Sequence, residues 1–190
     1  MKKTMQEKNA RAKKMMLWFA MISMTMTFAG LTSAYVVSSS RVDWLTSFEL
    51  PNVFLYSTVI ILLSSVTFFL GKKALIQGKK ALQKIFLWTT LGLTLLFVYF
   101  QFTGFSDIIA QGYYFTGAAS SITTSFIYVL VLLHLAHVFG GLIVLMIVLL
   151  QTYKNAYTPD QKLGYELAEL FWHFLDFLWI YLYVFVSVYS

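Results

Sequence analysis

Four titratable side chains, Glu166, Glu169, His173 and Asp176, sit inside the hydrophobic run from Tyr165 to Tyr189. At ~100° per residue, their steps of three, four and three fall on one helical stripe less than a quarter-turn wide. Facing lipid, such a stripe would cost several kcal/mol, so it must face protein, water or a bound polar group. The other two histidines, His134 and His137, lie in a second apolar run, and their i, i+3 spacing puts both imidazoles on one helix face.

Counting inward from the ends of these two runs brings Asp176 to the depth of that face, with His173 about 4.5 Å shallower. A midplane cluster of His134, His137 and Asp176 is therefore geometrically open, with two chemistries available. Imidazole and carboxylate are competent ligands for a metal or haem iron. The same groups can instead lock two helices together by interhelical hydrogen bonds. No His-x-x-x-His or Glu-x-x-His pair accompanies them, and helix locking is the expected role.

Glu166 and Glu169 stand within a turn of the start of their run. There a carboxylate can meet headgroups, water or the Lys154 and Lys162 side chains. Polar packing, headgroup contact and proton conduction are the three readings. Thr158-Pro159-Asp160-Gln161, just upstream, has the form of a helix N-cap with proline at the first helical position and glutamine in capping-box register.

The chain has no cysteine, which excludes disulfides, thiolate metal sites and thiol redox chemistry. It has no phosphate-binding glycine loop, no dinucleotide fingerprint and no Cys-x-x-Cys-His haem attachment signature. No residue is assigned as catalytic, cofactor-binding or metal-ligating.

These residues are held by apolar elements. Of 190 residues, 59% are hydrophobic and only 12% charged, a balance that fits an integral membrane protein and no ordinary soluble domain. About 20 apolar residues cross the ~30 Å hydrocarbon layer. Five runs qualify, at about 15–37, 51–70, 85–105, 123–150 and 165–189. The expectation is an all-α bundle of five transmembrane helices forming one membrane domain over residues 1–190.

Lysine and arginine crowd the segment before the first span, the second loop and the fourth loop, whereas the first and third loops together hold only Arg41. Cytoplasmic loops accumulate such residues, so the N-terminus is expected inside and the C-terminus outside. The same distribution accounts for the net charge of +6 without a nucleic-acid partner. The first apolar stretch outruns the core of a signal peptide and reads as a retained helix. Gly30/Ala34 and Ala136/Gly140 follow small-xxx-small spacing and mark expected sites of close helix approach. In the first loop, Arg41, Trp44 and Ser38 to Ser40 suit a headgroup or the interface, while Asp43 and Glu49 suit partner subunits.

Several segments together resemble subunit III of the haem-copper oxidases, the family typified by cytochrome c oxidase. Phe171-Trp172-His173-Phe174-Leu175-Asp176-Phe177-Leu178-Trp179 is similar to the signature of that family's final helix, and Gly164-Tyr165-Glu166 to its Gly-aromatic-Glu pattern. His134-x-x-His137-Val138 followed by Gly141, and Phe28-Ala29-Gly30 with Ser38-Ser39 beyond, resemble two further helices.

The resemblance implies an auxiliary subunit of a proton-pumping complex that reduces oxygen to water. Such a subunit carries no haem or copper of its own; both reside in partner subunits. It would pack on subunit I, also meet subunit II, hold structural phospholipid in a cleft and support proton uptake and active-site stability. The five-helix form implies a bacterial cytoplasmic membrane, and the electron donor, cytochrome c or quinol, is not written in these residues. His134, His137, Glu166, His173 and Asp176 are then the intramembrane motif positions, with Arg41, Trp44, Lys154 and Trp172 as candidate lipid or interface contacts.

The chain departs from the family where relatives carry a buried glutamate six residues before Gly30; here it is Met24. Gln101 fits a family glutamine, but the glutamate three residues on is Gly104, and a family arginine is replaced by Gln151, which shifts any phosphate contact to Lys154. A nitric-oxide-reductase-associated relative, an independent membrane haem or metal enzyme and a small proton transporter are the alternatives. The last is disfavoured by the absence of internal repeats and paired broken spans.

Overall fold

The computed structural model describes residues 2–41, 44–45, 50–117, 120–159 and 161–189. Asp43 and Glu49, named above as partner contacts, and Asp160 of the expected N-cap lie outside them. Five helices follow in order: α1 (Lys2–Ser38), α2 (Val53–Ile76), α3 (Lys80–Ala110), α4 (Ile122–Tyr153) and α5 (Leu163–Tyr189). Each is long and apolar enough to cross a membrane. The number of spans is as expected, but most helices overrun their apolar cores, α1 most of all because its basic segment is already helical.

Helix ends are set by local chemistry. In α2, Gly78 adopts a left-handed φ of 71°, and the amides of Gly78 and Lys79 return to the carbonyls of Leu75 and Ala74, a Schellman closure. Gly112 ends α3 and Asn155 ends α4 in the same way. At the start of α4, Ser121 and Thr124 form a reciprocal capping box. The expected proline-led start of α5 is not formed. The Gln161 amide bonds Thr158 in a separate turn, and the first helical bond runs from the Glu166 amide to the Lys162 carbonyl. The Tyr157 ring sits over Gly164 in the first turn of α5, where a methyl group would come within 3.2 Å of it.

Among the described residues, at backbone distance, α5 packs against α1, α2 and α4, while α3 packs against α2 and α4 and α1 touches only α4 and α5. This leaves a groove between α1 and α2 floored by α5. The basic N-terminal part of α1 and the α2–α3 and α4–α5 loops share one end of the bundle, where Lys80 donates to Asn155 across the two loops. We refer to it as the lysine-rich end.

The centre of the bundle is aromatic. The Trp179 ring meets Phe54, Phe97 and His134 at centroid distances of 5.1–6.2 Å. Hydroxyls of Thr32, Ser57, Thr58, Ser64, Thr90, Thr94 and Thr152 bond back to carbonyls three or four residues earlier, so these polar groups are satisfied within their own helices.

Close approaches occur at glycines other than those marked by spacing. A Cβ at Gly71 would stand 2.5 Å from the Tyr165 hydroxyl, at Gly104 2.7 Å from the Phe54 ring and at Gly141 2.8 Å from Leu175. Gly30 and Gly140 have open space at the corresponding position, and Ala34 and Ala136 are exposed. The spacing finds a smooth helix face but not what the face meets, and here the two smooth faces point out of the bundle.

Candidate functional site

The polar stripe of α5 meets α2. Lys72 Nζ bonds Glu169 Oε2 at 2.6 Å, and Glu169, 5% exposed, turns its other oxygen toward His173 Nε2 at 3.9 Å. His173 Nδ1 shares a hydrogen bond with the Ser65 hydroxyl. Asp176, three residues beyond His173 on the same stripe, is 4% exposed. Glu169 Oε1 and Asp176 Oδ2 have no hydrogen-bond partner among the described residues. Glu166 lies on the same side nearer the lysine-rich end, 3.8 Å from Lys162 and partly solvated, a geometry that contributes well under ~1 kcal/mol.

This stripe opens at the lysine-rich end into a cleft of about 340 Å³ between α1, α2 and α5, bordered by Lys14, Trp18, Lys72, Glu166, Glu169 and His173. On the other side of α1 an apolar cleft of about 450 Å³ is bordered by Leu17, Ala20, Met24, Val144, Ile147 and Phe171. Met24, at the family's glutamate position, therefore lines an apolar surface.

The expected cluster of His134, His137 and Asp176 does not form. His134 is fully buried, neither ring nitrogen is bonded among the described residues, and its ring lies 5.1 Å from Trp179 and 6.3 Å from Phe97. His137 is half-buried, with Nδ1 2.7 Å from its own helix's Leu133 carbonyl and its ring beside Phe28. One turn beyond Asp176, the Trp179 indole packs against His134. The helix-locking hydrogen bonds run instead between α2 and α5: Trp172 Nε1 to Ser64, Trp179 Nε1 to Thr58 and the Tyr165 hydroxyl to the Phe68 carbonyl.

Two partner assignments change accordingly. Glu169 is held by Lys72, not by Lys154 or Lys162. Trp172, expected at lipid or an interface, is 2% exposed and packs edge-on against Phe68. Lys154 is exposed at the end of α4, Arg41 is exposed beyond α1, and Trp44 is half-buried with its ring on Tyr35. Gln101 is buried and donates to Ser57. The α2 residues Ser57/Thr58 and Ser64/Ser65 were missed from the sequence, although their spacing of seven places them on one helix face. Among the described residues, no group of three or more His, Asp or Glu side chains converges as a metal site.

The chain matches the family described as cytochrome c oxidase subunit III over residues 14–190. Subunit 3 of the cytochrome bo(3) ubiquinol oxidase of Pseudomonas putida is 33% identical over 86% of this chain and 79% of its own length. Cytochrome c oxidase subunit 3 of Alkalihalophilus pseudofirmus is 28% identical over 89% of this chain and 82% of its own. The subunit 3 of Latimeria chalumnae cytochrome c oxidase is 32% identical over 74% of this chain, which spans 50% of that longer protein. With five apolar helices and the motif residues in order along them, the chain belongs to the cytochrome c oxidase subunit III family of the haem-copper oxidases.

Proposed function

We propose that the chain is the non-catalytic subunit III of an aerobic respiratory terminal oxidase in a bacterial cytoplasmic membrane, with its lysine-rich end inside. It packs on subunit I, holds phospholipid and supports proton uptake and active-site stability while oxygen is reduced to water at the haem and copper of partner subunits. The family match over residues 14–190 carries this reading. The distribution of lysines supports the orientation. The polar and apolar clefts flanking α1 suit a headgroup and acyl chains, with the Lys14 ammonium and the Trp18 indole bordering the polar one.

For the donor, cytochrome c is the first reading. The quinol form is the second, favoured by the 33% identity to a ubiquinol oxidase subunit. The test is to compare the oxidase purified with and without this chain, supplying reduced cytochrome c or quinol. The expected result is the same spectrum and initial oxygen-reduction rate, followed without the chain by slower proton uptake and progressive inactivation over turnovers. Unchanged proton uptake and lifetime would overturn the proposal.

A further inference from the structure

Lys72, Glu169, His173, Ser65 and Asp176 form a series of polar side chains between α2 and α5, from the cleft at the lysine-rich end to a carboxyl that is 4% exposed. Ten residues separate Glu166 from Asp176, a depth of about 15 Å along the helix. The cleft at the mouth, at about 340 Å³, is wide enough for a chain of waters, each occupying about 30 Å³. Among the described residues, Glu169 Oε1 and Asp176 Oδ2 are buried acceptors without a hydrogen-bond partner, one on each side of His173. Helix locking alone gives no reason to leave these two oxygens open, since each forfeits a hydrogen bond.

The series ends at Asp176. The next hydroxyls on the α2 face are already committed: Thr58 bonds the Phe54 carbonyl and accepts from Trp179, and Ser64 bonds the Ile61 carbonyl and accepts from Trp172. Beyond Asp176, the buried positions of α5 are Leu178, Trp179, Leu182 and Val186.

We propose that this series is a one-ended proton-loading site, filled from the lysine-rich face through His173 and storing the proton on Asp176. A proton from cleft water binds His173 Nε2, which faces Glu169 Oε1 at 3.9 Å. The Nδ1 proton passes to the Ser65 oxygen as the hydroxyl hydrogen of Ser65 passes to Asp176. Asp176 becomes a neutral acid, His173 is left neutral with its proton on Nε2, and rotation of the ring and hydroxyl resets the path. One proton leaves water and one carboxylate is neutralised.

The other charges facing His173 are Lys14 from α1, Lys72 from α2, and Glu166 with Glu169 from α5 itself, whereas His134 and His137 of α4 turn toward Trp179 and Phe28. Lys72 closes the mouth side of the series through its 2.6 Å ion pair with Glu169. The inference deepens the proton-uptake part of the proposed function and rests on it for physiological meaning, but proton binding itself is a property of this chain and is tested on it.

The test is infrared difference spectroscopy after a pH drop, on the full chain in lipid nanodiscs. The wild type should show a carboxylic-acid carbonyl band that disappears in the near-isosteric Asp176→Asn variant. His173→Gln should keep the band at equilibrium but slow its appearance at least about tenfold. In liposomes the wild type should conduct no protons. The site is refuted by a wild type lacking the band, by a band that survives Asp176→Asn, or by His173→Gln loading at the wild-type rate. Proton flux through the chain would refute its one-endedness. Failure of the chain to assemble with an oxidase would refute the proposed function without touching these results.

Discussion

Replacing Lys72 with methionine removes the ammonium bonded to Glu169 at 2.6 Å but keeps the length of the side chain. The carboxylate left behind has 6% side-chain exposure and faces His173 at 3.9 Å. Truncating one member of a buried ion pair costs about 3–5 kcal/mol. Lys72 keeps 26% exposure, so screening puts the expected loss near the lower end, ~3 kcal/mol. Protonation limits it: neutralising a carboxylate of ordinary pKa at pH 7 costs about 3.7 kcal/mol, at 1.36 kcal/mol per unit, and at pH 5 only about 1 kcal/mol. The penalty should therefore shrink as pH falls, because Glu169 can then be buried neutral. Adding Glu169→Gln to Lys72→Met should recover most of the loss. The assay is detergent-driven unfolding of the chain in bicelles, followed by tryptophan fluorescence at pH 7 and pH 5, as a double-mutant cycle. A Lys72→Met chain within ~0.5 kcal/mol of wild type, or a double variant as unstable as the single one, would refute this account of the pair.

Three further outcomes are expected in the same assay. Gly104→Ala should cost about 1–3 kcal/mol, because its methyl would meet the Phe54 ring at 2.7 Å, whereas Gly30→Ala, with open space, should stay within ~0.5 kcal/mol. Equal effects would show that the close approaches are misplaced. His134→Leu should be neutral or stabilising by up to ~1 kcal/mol, since it removes a fully buried imidazole with no hydrogen-bond partner; a loss above ~2 kcal/mol would reveal a partner. Lys162→Ala should change stability by less than ~0.5 kcal/mol, as befits a partly solvated i, i+4 pair 3.8 Å apart, and a salt-insensitive loss of ~2 kcal/mol would contradict that.

Much of the architecture was legible because bilayer thickness turns composition directly into spans. Glu166, Glu169, His173 and Asp176 could be placed on one stripe by periodicity alone. What the stripe faces was not legible. Asp176 and His134 were expected to meet because their depths agree, but rotation about the helix axis and the bulk of Trp179 decide which neighbour a side chain reaches. Lys72, 97 residues from Glu169 in sequence, looked like one more topogenic lysine in a basic loop, because α2 runs on past its apolar core before Gly78 closes it. The Ser57/Thr58 and Ser64/Ser65 repeat was the overlooked signal: in an apolar helix, a seven-residue recurrence of hydroxyls marks the face that receives indole N–H groups and the His173 ring. Gly30 and Gly140 misled for the opposite reason. Smallness permits close approach but does not draw a neighbour in, and the closely packed glycines are those opposite Phe54, Tyr165, Leu175 and Trp172.

The central claim is that this chain works as part of an oxidase, not alone. It is tested most directly by purifying the tagged chain from its native membranes in mild detergent, then identifying co-purifying proteins by mass spectrometry and recording the optical spectrum. The account predicts co-elution with a larger haem-bearing subunit and oxygen-reductase activity, and a colourless chain once that subunit is stripped away. Recovery of the chain alone, carrying its own haem or conducting ions in liposomes, would contradict it.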